Sequence, residues 1–264
     1  MTRHQLAKQL AKKAGDKLLK DFKNFKRSET AFKKNHEAVT KYDKQAEKII
    51  LDGIKRYFPN DAILSEEAGA NNKKSEYLWA IDPLDGTHNF VMNVPVFSVS
   101  IGLFHSKDMK TKNMNIKEAT IYWPRMGNMY TASLGKGSFI NGKKINVSKL
   151  TKTKDAQIVY CYGKLKSHKM KAARYYSELV SRQIGARQIG SSAIELSLLA
   201  SGYVDSMIVP GANMWDVAAG VLIVREAGGK VTDADGKEWR YGSKDMAASN
   251  GLIHKRVLKI FNDA

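Results

Sequence analysis

The hydrophobic rhythm of this chain changes twice along its length, and each change narrows the folds open to it. Leu6, Leu10, Ala14, Leu18, Phe22 and Phe25 recur every three or four residues with lysines between them, the spacing of one buried helix stripe. Val39, Tyr42, Ala46, Ile49, Ile50, Ile54 and Tyr57 predict a second helix over residues 38–57, ended by Pro59, Asn60 and Asp61. Then the period shortens. Tyr77-Leu78-Trp79-Ala80-Ile81 reads as a short buried strand, residues 96–104 as a second, and 118–124 and 128–133 as a pair joined at Met126-Gly127. Gly135, Gly137, Asn141 and Gly142 mark tight turns, and 105–117 reads as a polar hairpin or loop. From about residue 153 strands at 156–163, 186–190, 204–209, 230–233 and 246–249 alternate with helices at 170–182, 191–202, 215–229 and 251–262. Ser192 and Glu195 have the spacing of a capping box.

This pattern predicts two helices and a meandering antiparallel sheet, then an α/β layer. The expected class is α/β: an α+β N-terminal subdomain over 1–150 and an α/β C-terminal subdomain over 151–264. A length of 264 residues with 43% hydrophobic residues supports a full core and excludes a disordered chain. No apolar run approaches the roughly 20 residues of a membrane-spanning helix. The N-terminal 20 residues lack the apolar core of a signal peptide, so the expected compartment is the cytoplasm. The single Cys161, in an apolar strand, excludes an intramolecular disulfide framework and reads as a buried, inert thiol.

The formal net charge is +18. Such an excess points first to nucleic acid. Residues 1–60 carry 16 Lys+Arg against 7 Asp+Glu, yet the lysines alternate with apolar residues as on a solvated helix face. Against this background, clustered acids stand out at Ser65-Glu66-Glu67, at Asp82-Pro83-Leu84-Asp85-Gly86-Thr87 and at Trp215-Asp216. Asp82 and Asp85 follow directly on a buried strand, so both can point into one crevice at the sheet end. A helical turn starting near Asp85 would offer the Gly86 and Thr87 N–H groups to an anion. Carboxylates beside anion-favouring donors suggest a hard divalent cation bridging protein and phosphate. His4, His36, His105, His168 and His254 show no metal-ligand spacing, and neither a Gly-x-Ser-x-Gly elbow nor a Gly-Lys-Ser/Thr phosphate loop is present.

The string Asp82-Pro83-Leu84-Asp85-Gly86-Thr87-His88-Asn89-Phe90 resembles the signature of the inositol monophosphatase family, Mg²⁺-dependent sugar-phosphate phosphatases. Trp215-Asp216-Val217-Ala218-Ala219-Gly220 with Glu226-Ala227-Gly228-Gly229 resembles its second signature, and Val39–Asp43, Ser65-Glu66-Glu67 and Gly190–Ala193 also match. The resemblance implies a layered α-β-α-β-α sandwich of the inositol monophosphatase/fructose-1,6-bisphosphatase type, usually dimeric, with two to three Mg²⁺ ions. It implies Glu67, Asp82 and the Leu84 carbonyl as ligands of a first metal, Asp82, Asp85 and Asp216 of a second, and Glu67 with waters of a third. It implies that Asp85, Gly86 and Thr87 bind phosphate, while Thr87 and Asp43 activate a water with Glu66 close by. Periodicity taken by itself places Asp43 on the exposed side of its helix.

Asp85, Ser192, Ala193 and Asp216 are the expected contacts to a polyol. Val209-Pro210-Gly211-Ala212-Asn213 departs from inositol-specific members, which carry a Glu in this stretch. Lys164, Lys166, Lys169, Lys171 and Arg174 could hold a second phosphate, as fructose 1,6-bisphosphate requires, although lysines on a solvated loop and helix face are commoner. The resulting expectation is a phosphomonoesterase for a small sugar or polyol phosphate. The alternatives are fructose-1,6-bisphosphatase or histidinol-phosphatase activity on the same scaffold, or a nucleic-acid-binding regulatory protein.

Overall fold

A computed structural model describes residues 1–32, 38–106 and 114–264. The first helix, α1 (Arg3–Phe22), opens on a capping box between Thr2 and Gln5. Two short paired strands, β1 (Ala31–Phe32) and β2 (Ala38–Val39), lead to α2 (Lys41–Tyr57). The second helix therefore starts three residues later than its apolar stripe predicts. Thr40 caps it, and the two residues before that cap pair as a strand. Next come β3 (Ala62–Ser65), β4 (Gly69–Ala70), β5 (Tyr77–Asp85), α3 (Thr87–Val91), β6 (Ser98–His105), β7 (Asn115–Trp123), β8 (Asn128–Ser133), β9 (Ser138–Ile140) and β10 (Lys143–Ile145). They form an eight-stranded sheet in the order β10-β9-β8-β7-β6-β5-β3-β4.

That sheet is antiparallel except for β3 and β5, which run parallel. The β4 hairpin and the residues after it carry the chain back before β5 begins, so β5 repeats the direction of β3. Of the expected polar segment 105–117, His105 ends β6 and residues 115–117 already belong to β7, while residues 107–113 lie outside the described residues.

The remaining elements are β11 (Gln157–Tyr160), α4 (Lys166–Ser181), β12 (Gly185–Arg187), α5 (Ser192–Ala200), β13 (Ser206–Val209), α6 (Met214–Glu226), β14 (Lys230–Thr232), β15 (Met246–Ser249) and α7 (His254–Asp263). Their strands form a second sheet in the order β12-β11-β13-β15-β14.

Strand alternation sorts the side chains into layers. Trp79 and Ile81 of β5 pack with Leu6, Leu10, Ile50 and Ile54 of α1 and α2. Leu78 and Ala80, on the opposite face, pack with Leu196, Ala218 and Leu222 of α5 and α6. Those two helices also meet Val159, Met207 and Val209 of the second sheet. Ile158 and Ile208 point the other way, toward Tyr175 and Leu179 of α4 and Val257 and Phe261 of α7. The order is helix, sheet, helix, sheet, helix, the five-layered sandwich expected. Because α6 lies between two sheets, residues 217–224 are buried on every side. Both middle helices start at the carboxyl end of β5.

Candidate active site

Three acids meet at that end, one from the turn after β3, one from β5 and one from α6. The β5–β6 ladder pairs Asp82 with Ser100 and Asp85 with Ser98, so one extra β5 residue bulges between them. Pro83 sits in the bulge, where the lack of an N–H costs nothing. Asp82 Oδ1 accepts the Leu84 N–H at 3.0 Å, which fixes the re-aimed carboxylate. Parallel pairing matches Ser65 to Ile81, and the next N–H, that of Glu66, donates to Ile81 O at 3.1 Å. Glu66 therefore stands beside Asp82. Asp216 lies in the first turn of α6, with Asn213 Nδ2 donating to its Oδ2 at 2.9 Å. One carboxylate oxygen from each of Glu66, Asp82 and Asp216 lies within 4.8 Å of the others.

Burial, and then the charges of Glu66, Asp85 and Asp216, hold the Asp82 carboxyl well above its ordinary value. Asp216 is pushed up to about 8, by burial first and by Glu66 second. Crowded carboxylates that repel one another, Asp82 buried and Glu66 and Asp216 half-buried, are relieved by a multivalent cation, and an all-oxygen donor set suits a hard ion such as Mg²⁺. The resemblance implied Glu67 as the ligand from its pair. The register instead brings Glu66 into the set, while the charge of Glu67 acts on Asp43 and raises its pKa.

The turn that carries Glu66 is braced by a residue the sequence reading passed over. Glu47 is buried in α2, and its Oε1 accepts from Ser65 Oγ at 2.5 Å and from the Ala68 N–H at 2.9 Å. Its position four residues after Asp43 puts both acids on one helix face, which is the signal that could have found it.

Asp43 is not exposed, as periodicity suggested, but only 1% accessible. Its Oδ2 accepts from the Thr40 N–H and Thr40 Oγ1, each at 2.7 Å, so it completes the cap of α2. Its Oδ1 lies 3.0 Å from Thr87 Oγ1, which is also 2.9 Å from the Leu84 carbonyl. Burial is the largest cause raising Asp43 to about 6. Between Asp85 and Thr87, Gly86 has φ +93°, and a Cβ there would stand 2.8 Å from Val96 O. No other residue fits this turn without moving the backbone.

Asp85 faces the start of α5. Its Oδ2 accepts from Ser98 Oγ at 3.0 Å, from Ser191 Oγ and from the Ala193 N–H at 3.1 Å, and its Oδ1 accepts the Ser192 N–H at 3.0 Å. Burial still pushes Asp85 up to about 6 against those donors. The helix cap differs from the one predicted. Ser191, not Ser192, takes the Ile194 N–H, and Glu195 Oε1 takes the Ile189 and Gly190 N–H groups at 2.6 and 3.1 Å. The cap lies one residue earlier than predicted, and the same Ser191 hydroxyl donates to Asp85. Ala193 is fully buried and meets the site through Asp85.

A cavity of about 540 Å³ opens over these residues, and its wall includes Glu66, Asp82, Leu84–Asn89, Ser192 and Asp216. Of the basic segment, Lys164 and Lys169 reach this wall. Lys171 lies 3.5 Å from Asp245, and Arg174 donates to Ala264 O at 2.5 Å. Cys161 is buried at the cavity floor, its Sγ 2.9 Å from Glu195 Oε2, and burial holds the thiol well above its usual range. The histidines expected to be uninvolved are dispersed: His4 pairs with Glu118 at 2.9 Å, His254 lies between Thr232 and Ser249, and His36 falls outside the described residues.

The layered fold is that of the inositol monophosphatase and fructose-1,6-bisphosphatase type. The profile of the inositol monophosphatase family matches residues 2–264, and the chain belongs to that family. A Thermotoga maritima protein named fructose-1,6-bisphosphatase/inositol-1-monophosphatase is 36% identical, over 89% of this chain and 85% of its own. A Vibrio cholerae protein named Nus factor SuhB is 35% identical, over 96% of this chain and 93% of its own. Among solved structures, an IMPase from Thermotoga maritima is similar with a TM-score of 0.88 at 31% identity, over 100% of this chain and 98% of that one. Family and relatives support phosphatase activity. None of the helices among the described residues is long and apolar enough to cross a membrane.

Proposed function

We propose that this protein is a Mg²⁺-dependent phosphomonoesterase that hydrolyses a small sugar or polyol phosphate. The observation that carries the reading is the convergence of Glu66, Asp82 and Asp216 within 4.8 Å of one another, beside the Thr87–Asp43 pair. Glu66, Asp82, Asp85, Asp216 and the Leu84 carbonyl would hold two to three ions, with Glu66 in the role first given to Glu67. When bound, such ions place positive charge against the phosphate oxygens and lower the proton affinity of a nearby water.

The side chains divide the remaining work. With its proton directed to Asp43 Oδ1, the Thr87 hydroxyl keeps a lone pair for an attacking water, and the ionised Asp43 accepts the proton released. The Gly86 and Thr87 N–H groups orient the phosphate, and attack on phosphorus proceeds in line without a covalent enzyme intermediate: the P–O bond to the alcohol breaks as the water oxygen bonds to phosphorus, and the departing alkoxide takes a proton from solvent. Asp85, Ser192 and Asp216 face the hydroxyls of the alcohol. In this reading 1–150 and 151–264 are the two subdomains, the first supplying Glu66 and Asp82 and the second Asp216, and the protein is a cytoplasmic homodimer.

Phosphate release from inositol 1-phosphate, fructose 1,6-bisphosphate and histidinol phosphate with Mg²⁺ tests the reading and ranks the substrates. Lys164 and Lys169 at the cavity wall favour including the bisphosphate. Turnover that survives both Asp82→Asn and exhaustive chelation would sink the assignment. A second reading, a nucleic-acid-binding regulatory role, is favoured by the net charge of +18 and by the relative named Nus factor SuhB. It requires RNA or DNA binding that weakens steeply with added salt.

A further inference from the structure

Lys164 has a place that its basic neighbours lack. Its Nζ lies 3.7 Å from Glu66 Oε1 and 5.9 Å from the centre of the Trp215 ring, next to Asp216. The backbone leading to it is clamped against the segment that precedes α6. The Cys161 N–H donates to Ile208 O at 3.1 Å and the Gly163 N–H to Pro210 O at 2.8 Å. Packing there is so close that a Cβ on Gly163 would fall 2.0 Å from Gly211 O. The root of the lysine is therefore fixed relative to Asp216, while its flexible stem can swing into the cavity. Lys169 also reaches the wall, but its Nζ lies over the Tyr162 ring at 5.9 Å.

We propose that Lys164 is a tethered counter-ion of the carboxylate cluster, competing with a divalent cation for Glu66. The inference rests on the metal-site reading above. An ammonium beside Glu66 offsets part of the repulsion among Glu66, Asp82 and Asp216, so the site is held together before a cation enters. A cation that binds Glu66 must displace the ammonium or bear its repulsion across the shared carboxylate, and either costs affinity. Lys164 thereby weakens divalent-cation affinity and keeps binding reversible.

Calorimetric titration of the full chain with Mg²⁺ and with Ca²⁺, in the absence of substrate, tests this. Lys164→Met should bind both ions about three- to tenfold more tightly than wild type, the range expected for losing one close, partly screened charge. Lys164→Arg should return the affinity to within about twofold of wild type, since the charge at that place is restored. Lys169→Met, which removes a charge from the same cavity without removing a partner of Glu66, should shift the affinity by less than about twofold. Unchanged or weaker cation binding in Lys164→Met would overturn the inference, and so would an equal gain in Lys169→Met. A wild-type chain that binds neither ion would remove the metal-site reading as well, which separates the two failures. Melting temperatures within a few degrees of one another establish that the variants are folded.

Discussion

Thr87 Oγ1 stands 3.0 Å from Asp43 Oδ1, a contact that joins α2 to the turn after β5 across 44 residues of sequence. The same threonine touches the Leu84 carbonyl, and the same aspartate caps its own helix through Thr40. The one hydroxyl proton faces two acceptors, the Asp43 carboxylate and the Leu84 carbonyl, so the hydroxyl oxygen is held in place before any substrate arrives. Thr87→Ala and Asp43→Asn should each lower kcat by roughly 10²–10³ while changing KM by less than about threefold, the pattern of a lost proton acceptor. Steady-state kinetics on whichever phosphate ester proves best measures both quantities. A KM effect with kcat intact would assign the pair to substrate binding.

Glu47 supports the site without entering it. Its carboxylate holds Ser65 and the Ala68 N–H, the two sides of the turn that presents Glu66. Glu47→Ala should weaken Mg²⁺ binding by roughly 10–100-fold, as loss of a group that orients a ligand does. Glu47→Gln, which keeps an acceptor oxygen, should lose less. Equal Mg²⁺ affinity in all three proteins, by calorimetry, would show that the turn holds itself.

Gly86 is constrained by both conformation and space. With φ +93° and Val96 O only 2.8 Å from where a Cβ would stand, Gly86→Ala must strain the turn or push the 96–97 backbone away. The expected cost is about 1–3 kcal/mol of stability, with activity reduced beyond detection because Asp85 and Thr87 flank the displaced residue. Denaturant unfolding and phosphate release check the two parts separately.

The layers were legible in the sequence because helix and strand periods write themselves into apolar spacing, as at Leu6–Leu18 and Tyr77–Ile81. Strands β9 and β10 were read only as turns, since three-residue strands on either side of Asn141-Gly142 leave no period to detect. The site was legible where strand and acid adjoin, at Asp82 and Asp85. It was not legible where register decides. Whether Glu66 or Glu67 meets Asp82 depends on the pairing of Ser65 with Ile81, a relation between distant residues. Asp43 and Glu47 look like surface acids on an amphipathic helix until the β5–α3 turn covers the first and the β3–β4 turn covers the second.

The buried Glu195 offers a pH signature outside the carboxylate cluster. Burial raises its pKa from 4.5 to about 8, against the Cys161, Ile189 and Gly190 donors. A raised folded-state pKa means that the native protein holds a proton which the unfolded chain releases. The stability contributed by this group is therefore complete below pH 4.5, declines as pH rises through the interval to about 8, and is flat above it. Within that interval the slope is at most about 1.4 kcal/mol per pH unit. Glu195→Gln is neutral at every pH and retains an acceptor for the Ile189 and Gly190 N–H groups. Its unfolding free energy should thus fall less steeply than that of wild type between pH 5 and 8, and the two curves should run parallel above about 8. Urea unfolding across that range, at constant ionic strength and with chelator present, measures the difference. Parallel curves from pH 5 upward would mean that Glu195 ionises in the folded protein near its ordinary value, with water reaching it beside Cys161.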